Sequence, residues 1–289
     1  MEIEKLAEVS HGKQPEPNIG GLLLKAGKIR PEDNERIMRI QREQNLRFGE
    51  AAMKLGLVSE DDIREALSHQ FNYSYLAAGE HGFSPELIAA YKPFTAEVEA
   101  FRTLRTQLKL RWFNGQRKHL ALVSPASGTG CSYHAANLAV VFSQLGERTL
   151  LIDANLRDPR QHLMFKLGNR QGLAEILSNR VTQPPLVAIP TLDNLSVLPA
   201  GAVPPNPGEL LSRGILHKLL TELDLDFDVI LIDTPPAMTC TDFQSVAFQA
   251  GSALIVARLN HTKLSDIAAV NDSLATTSTE VAGVVLSKF

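Results

Sequence analysis

The sequence predicts an α/β fold with a mostly parallel sheet, preceded by a small all-α repeat domain. Three observations predict it. From Leu120 onward, short apolar runs alternate with stretches of helical spacing. The first run, Leu120-Ala121-Leu122-Val123, leads through a glycine loop, Ser124-Pro125-Ala126-Ser127-Gly128-Thr129-Gly130-Cys131-Ser132, into the helical run Asn137 to Gln144. Upstream, a segment beginning at Asn18-Ile19-Gly20 repeats at Arg47-Phe48-Gly49, an offset of 29 residues. Alternating strands and helices favour a parallel sheet covered on both faces, whereas an internal helical repeat reads as a separate helical unit.

Length and composition set the limits. A chain of 289 residues holds two domains, one large enough for a full core. With 44% hydrophobic and 21% charged residues it reads as a globular protein. A formal net charge of -3 gives no nucleic-acid signature, so no nucleic-acid partner is expected. No apolar run reaches the roughly 18 residues of a membrane span. The start Met1-Glu2-Ile3-Glu4 lacks the basic and apolar regions of a secretion signal. A cytoplasmic protein without membrane insertion of its own is expected, with Cys131 and Cys240 as reduced thiols.

Taken in order, residues 1–17 read as a mobile leader, with Pro15 and Pro17 against regular structure. Residues 18–75 form the helical repeat domain. The two copies align Gly20 with Gly49, Lys25 with Lys54, Gly27 with Gly56 and Gln41 with Gln70, each a short helix, a glycine turn and a second helix. Pro31 starts the second helix of the first copy, and Ser59 caps its counterpart. Residues 76–94, with Gly79, Gly82, Pro85 and Pro93, read as a linker carrying one short helix from Pro85 to Tyr91.

Residues 95–289 form the α/β domain. In the helix Glu97 to Lys109, the residues Glu99, Arg102 and Arg105 share one face, which on its own reads as a solvated face with a weak Glu-Arg pair. After the loop and its helix come a strand Thr149 to Asp153, helices Gln161 to Leu167 and Gly172 to Leu177, and a strand Leu195 to Leu198. A long helix is expected from Pro207 through Leu220. The strand to Asp233, a strand Ala253 to Ala257, a helix Leu264 to Leu274 and a last strand Val281 to Leu286 complete the pattern.

The loop carries the chemistry. Gly128 and Gly130 allow backbone N–H groups to turn inward, and the following helix start adds partial positive charge, so the loop is shaped for an anion such as phosphate. Against the pattern G-x-x-x-x-G-K-[ST], Gly130 and Ser132 match, Pro125 takes the first glycine position, and Cys131 takes that of the lysine. A tight strand-to-helix turn without a ligand is the alternative. The strands ending at Asp153 and Asp233 bring carboxylates to the same sheet edge, where Mg²⁺ would need oxygen ligands.

These motifs, with Arg157-Asp158-Pro159-Arg160 and Pro204-Pro205-Asn206-Pro207-Gly208-Glu209-Leu210-Leu211, resemble the bacterial tyrosine kinases of capsule and exopolysaccharide loci over about residues 95 to 289. The closest likeness is to the soluble type paired with a chain-length determinant, relatives of the MinD and ParA ATPases. The resemblance implies a P-loop NTPase fold with ATP and Mg²⁺ as cofactors. It implies nucleotide binding by Gly128, Thr129, Gly130, Cys131, Ser132 and Tyr133, metal binding by Ser132, Asp153 and Asp233, and a catalytic role for Asp153. Glu99, Arg102 and Arg105 fall on the family's subunit-interface motif, which implies a homo-oligomer. A membrane chain-length determinant is the implied partner and would recruit the protein to the inner membrane. The implied role is regulation of exopolysaccharide biosynthesis, export or chain length.

Two departures bear on activity. Cys131 removes a charge-assisted hydrogen bond to phosphate of about 1.5 to 3 kcal/mol, and Asn155 stands where the family has a second aspartate, an amide that takes no proton. If the charge is supplied elsewhere, Arg157 and Arg160 are first in line. The family's tyrosine-rich tail has no counterpart after Phe289, and the tyrosines are Tyr73, Tyr75, Tyr91 and Tyr133. A catalytically inactive regulatory module is therefore the alternative to a kinase. The repeat of residues 18–70 resembles the N-terminal domain of type II secretion and type IV pilus assembly ATPases, some of which bind cyclic di-GMP. That likeness makes Arg47 and Gly49 a second-ligand site; a protein-docking module is the plainer reading.

Overall fold

The computed structural model describes residues 19–60, 62, 63, 66, 76, 82–113, 115–168 and 170–288. The leader and the pair Tyr73 and Tyr75 lie outside the described residues. Two compact units divide the chain, residues 1–74 and 75–289.

In the first unit, α1 (Ile19–Lys25) and α2 (Pro31–Gln44) form one copy of the repeat, and α3 (Phe48–Lys54) opens the second. Gly27 and Gly56 occupy equivalent turns at φ +68° and +67°, the left-handed region that disfavours a side chain. Pro31 is at the first position of α2, where its missing N–H costs nothing. Ser59 Oγ accepts from Asp62 N at 3.1 Å while Asp62 Oδ2 accepts from Ser59 N at 2.8 Å, a reciprocal cap. Leu23, Ile29, Ile37, Ala51, Ala52, Val58 and Ala66 make the core.

The second unit is a seven-stranded sheet in the order β3-β4-β2-β5-β1-β6-β7. Its strands are β1 (His119–Val123), β2 (Thr149–Asp153), β3 (Val187–Ala188), β4 (Leu195–Leu198), β5 (Val229–Asp233), β6 (Ser252–Arg258) and β7 (Glu280–Ser287). All pairings are parallel except β3 with β4. Strands β1, β2 and β5 are almost wholly buried, as expected of central strands covered on both faces.

Its helices are α4 (Ile88–Tyr91), α5 (Ala96–Arg111), α6 (Cys131–Gln144), α7 (Gln161–Met164), α8 (Leu173–Leu177), α9 (Pro207–Leu211), α10 (Ile215–Leu223), α11 (Asp242–Ala250) and α12 (Leu264–Ala275). Side chains of α4, α5 and α6 share one core with alternate strand residues such as Leu120, Leu122 and Leu151. Those of α8 to α12 share the other with Ala121, Val123, Leu150 and Ile152. The period-2 alternation of the strands thus assigns each residue to one of two cores.

Four expectations are corrected. The helix after Pro207 is two helices, because Gly214 at φ +69° breaks the run before Ile215. The helix expected over Gln161 to Leu167 stops at Met164, followed by Lys166 and Gly168 at positive φ. Helix α11 and the short antiparallel β3 were not expected. Finally, the stretch expected as a linker contributes Leu76, Leu87, Ala89 and Ala90 to the main core. It is fixed by Asn137 of α6, whose Oδ1 accepts from Ala89 N at 2.9 Å and whose Nδ2 donates to Glu86 O at 2.9 Å. Among the described residues, no helix is long and apolar enough to cross a membrane.

Candidate functional site: a phosphate loop with a relocated charge environment

The loop leaves β1 at Ser124 and enters α6 through Gly130, at φ 85° and ψ 25°. Gly128 has φ +75° with open space where a Cβ would stand, and Thr129 Oγ1 closes the turn on Ala126 O at 3.0 Å. A helix of 14 residues begins there, and the first N–H groups of a helix have no acceptor within it, which favours an anion at that end. A cavity of about 300 Å³ lies there, lined by Gly128, Thr129, Gly130, Cys131, Ser132 and Tyr133 together with Glu86, Asn155, Asp158 and Arg160. All six residues expected to bind nucleotide therefore meet in one place.

Cys131, at the lysine position, turns away from the role. Its Sγ donates to Leu122 O at 3.2 Å, and burial beside Asp233 pushes its thiol well above the ordinary range. It is a neutral packing residue that offers phosphate no charge. Tyr133 Oη donates to Glu97 Oε1 at 2.7 Å, and its pKa is raised by burial and by that carboxylate.

Asp153 and Asp233 lie behind the loop, in register on adjacent strands and wholly buried, and neither lines the cavity. Asp153 accepts N–H bonds from Asn155 at 3.2 Å, Arg160 at 3.0 Å and Gln161 at 2.9 Å, so it anchors the turn after β2. Burial and the neighbouring Asp233 nevertheless hold its carboxyl well above the ordinary range. Burial likewise pushes Asp233 up to about 6, partly countered by the polar side chains of Ser132, Gln161 and Cys131. Gln161 ties the pieces together: its Nε2 donates to Ser132 O at 3.1 Å and to Asp233 Oδ2 at 2.8 Å. Among the described residues, Asp233 Oδ1 and Gln161 Oε1 find no hydrogen-bond partner.

The other arginines resolve differently. Arg157 Nε and Nη2 make a bidentate pair with the buried Asp242 at the start of α11, at 2.7 and 3.2 Å. A Cβ on Gly208 would stand 2.9 Å from Asp242 Oδ1, which explains the glycine of the Pro207-Gly208 motif. Arg160 instead lines the phosphate cavity and pairs with Glu86 at 3.1 Å. Arg258 Nη1 donates to Gly128 O at 3.3 Å from the end of β6. Asn155 Nδ2 donates to Asp158 O at 2.8 Å and its Oδ1 accepts from Asp158 N at 3.1 Å, so the amide serves the turn.

The remaining expected residues lie elsewhere. On α5, Glu99 is exposed and pairs with Arg102, whereas Arg105 Nη1 donates inward to Val141 O at 2.7 Å. In the first unit Arg47 is exposed at the start of α3. Gly49 is packed so closely that a Cβ would stand 3.1 Å from Ile63 Cδ1, and one on Gly20 would stand 3.0 Å from the Phe48 ring. Sequence reasoning missed Glu86, Gln161 and the Arg157–Asp242 pair. Gln161 had one signal, a polar residue at the head of a predicted helix just after the Asp153 strand.

A nucleotide phosphate fits the glycine loop at the helix start, with open space over Gly128, and the Ser132 hydroxyl, which lines the cavity with Asp233 buried behind it, offers a divalent cation an oxygen. No group of three or more His, Cys, Asp or Glu side chains forms a metal cage among the described residues. Mg²⁺ characteristically keeps several waters and shares phosphate oxygens, so one hydroxyl with carboxylates behind it suffices.

The family model described as ParA, NUBPL iron-transfer P-loop NTPase, matches residues 116–287. The tyrosine-protein kinase YwqD of Bacillus subtilis is 34% identical over 201 residues, 70% of this chain and 85% of the kinase. The kinase domain of the Escherichia coli tyrosine kinase ETK superposes with a TM-score of 0.67 at 28% identity, covering 70% of this chain and 79% of that domain. A Pyrococcus horikoshii MinD complexed with Mg-ADP shares the fold at a TM-score of 0.52 and 23% identity, covering 58% of this chain and 69% of that one. With its MinD/ParA-type sheet and its phosphate loop in the expected place, the chain belongs to the bacterial tyrosine-kinase family of P-loop NTPases.

Proposed function

We propose that the protein is a tyrosine-kinase-like P-loop nucleotide-binding protein that regulates exopolysaccharide biosynthesis, export or chain length. The observation that carries the reading is the cavity formed by Gly128 to Tyr133 at the head of α6, with Asp153 and Asp233 behind it. ATP would be held by the loop amides, and Mg²⁺ by Ser132 with Asp153 and Asp233 in support; bound together they would supply the phosphoryl group and charge neutralisation. The chain's own part is to fix the phosphates and to keep the carboxylates buried behind the loop. A membrane chain-length determinant is the partner that fits this reading, with a homo-oligomer recruited to the inner membrane from the cytoplasm.

A second reading is a regulatory module that binds nucleotide without transferring phosphate. Cys131 favours it, because charge stabilisation is most of what a protein contributes to phosphoryl transfer. Incubation with γ-labelled ATP and Mg²⁺ separates the two: label on the protein or its partner supports a kinase, released phosphate alone an ATPase, and bound nucleotide without either the module. For the first unit we propose protein docking ahead of cyclic di-GMP binding. The close packing of Gly20 and Gly49 accounts for those glycines without a ligand. Calorimetry of the full chain with cyclic di-GMP tests it, and binding tighter than about millimolar would reverse that order.

A further inference from the structure

The phosphate cavity has lost its lysine yet holds a cation. We propose that Arg160 replaces the loop lysine as the phosphate-binding cation, and that Glu86 is the anion it exchanges when the terminal phosphates of a nucleotide enter. The proposal rests on the nucleotide-binding reading above.

Four observations carry it. Cys131 is turned onto Leu122 O and is neutral. Among the described residues lining the cavity, Arg160 is the cation, and the anions Glu86 and Asp158 line it too. Arg157, next in sequence terms, is committed to the buried Asp242. Arg160 and Glu86 reach each other with side chains 49% and 46% exposed, so the pair is weakly held and open to competition.

The backbones on both sides are fixed. Arg160 N donates to Asp153 Oδ2 at 3.0 Å, and the turn before it is closed by Asn155 on Asp158. Glu86 O accepts from Asn137 Nδ2 at 2.9 Å, and Ser84 Oγ accepts from Glu86 N at 3.2 Å. Exchange therefore asks only for side-chain rotation. A guanidinium matches the paired oxygens of a phosphate as it matches a carboxylate, so phosphate can take the place of Glu86 on the same fork. Until it does, the Glu86 carboxylate occupies the cation and repels an incoming phosphate, which sets a threshold for binding.

The test is calorimetry of the full chain with ADP and Mg²⁺. Arg160→Ala should weaken binding by about ten- to a hundredfold, the value of a charge-assisted hydrogen bond, and Arg160→Lys should retain most of it. Glu86→Gln should tighten binding by up to about fivefold, the scale of an exposed ion pair. Cys131→Lys placed in the Arg160→Ala background should restore affinity by returning the charge from the loop side. Glu86→Gln with Arg160→Ala should stay weak, which separates loss of the cation from mere release of Glu86 into the cavity. If the wild type binds ADP and Arg160→Ala binds it equally well, the proposal is overturned and the nucleotide reading stands. If neither the wild type nor Cys131→Lys nor any other variant binds, the nucleotide reading falls and takes the proposal with it.

Discussion

Asp153 and Asp233 stand directly opposite each other at the ends of β2 and β5, and a single residue, Gln161, bonds to both, its backbone N–H donating to Asp153 and its side-chain amide to Asp233. Two carboxyl groups on neighbouring strands, both at 0% exposure, cannot easily both ionise. The hydrogen bonds to Asp153 offset part of that cost, whereas Asp233 Oδ1 finds no hydrogen-bond partner among the described residues. The pair is thus a reserve of unfavourable charge placed where a cation would relieve it.

This gives a pH prediction. Asp233 is pushed from 3.8 up to about 6, and Asp153 is raised as well. A raised folded-state pKa means that the folded protein binds more protons than the unfolded chain between the two values, so stability falls as pH rises through that window. The contribution of Asp233 is full below about pH 4 and gone above about pH 6, on the order of 2 to 3 kcal/mol. Asp233→Asn should raise the melting temperature at pH 8 and flatten its fall between pH 4 and pH 7. An unchanged slope in that variant, measured by thermal unfolding, would refute the assignment.

Asn155 leads to a second prediction. At the family's second aspartate position, it makes two reciprocal bonds with the Asp158 backbone. A carboxylate could keep the bond it accepts but would face Asp158 O without a proton to donate. Asn155→Asp should therefore destabilise the protein by about 1 to 2 kcal/mol and give no gain in phosphoryl transfer by itself. A variant with increased transfer and an unchanged melting temperature would show that the turn does not need the amide.

The sheet was legible because its signals are local. Buried strands such as Leu150-Leu151-Ile152 are apolar throughout, and glycine with serine punctuates the loop, so strand, loop and helix announce themselves in order. The candidate residues of the loop came from the same stretch. What escaped was non-local. Glu86 reaches the cavity only because Asn137, some fifty residues later, pins its backbone, and Arg157 is diverted by Asp242 across the sheet. The stretch 76–94 looked like a linker because Gly79, Gly82, Pro85 and Pro93 punctuate it, while Leu76, Leu87, Ala89 and Ala90, which bury it, are too few to form a pattern. The Pro207 run showed helical spacing on both sides of Gly214, and one positive φ sufficed to divide it.

Gly172 supplies a third prediction. A Cβ there would lie 2.0 Å from Pro199 O and 2.4 Å from Gly201 N, both backbone atoms that cannot rotate aside. Leu173 N bonds that same Pro199 O at 2.8 Å, which joins α8 to the end of β4. Gly172→Ala should force the two apart and cost about 2 kcal/mol or more. A melting temperature within a degree of the wild type would mean that the contact can relax.

The fourth prediction separates three residues that share a helix face. In α5 the Arg105 guanidinium donates to Val141 O at 2.7 Å, near the C-terminal end of α6. In a continued helix Leu145 N would serve that carbonyl, but it donates to Phe142 and Ser143 instead. Arg105 therefore satisfies a buried terminal acceptor and places positive charge at the negative end of the helix that carries the phosphate loop. Arg105→Ala should leave Val141 O unsatisfied and lower stability by about 1 to 3 kcal/mol, whatever the oligomeric state. The Glu99 side chain is exposed and pairs with Arg102, whose own side chain is only 15% exposed. If a second copy of the chain docks on this face, Glu99→Ala and Arg102→Ala should lower the mass measured by light scattering, the exposed Glu99 with little change in melting temperature. Loss of mass only in Arg105→Ala would trace assembly to the integrity of α6 rather than to a contact made by these side chains. An unchanged mass in all three variants would leave Glu99 and Arg102 as a pair within one chain, its carboxylate exposed and its guanidinium largely covered.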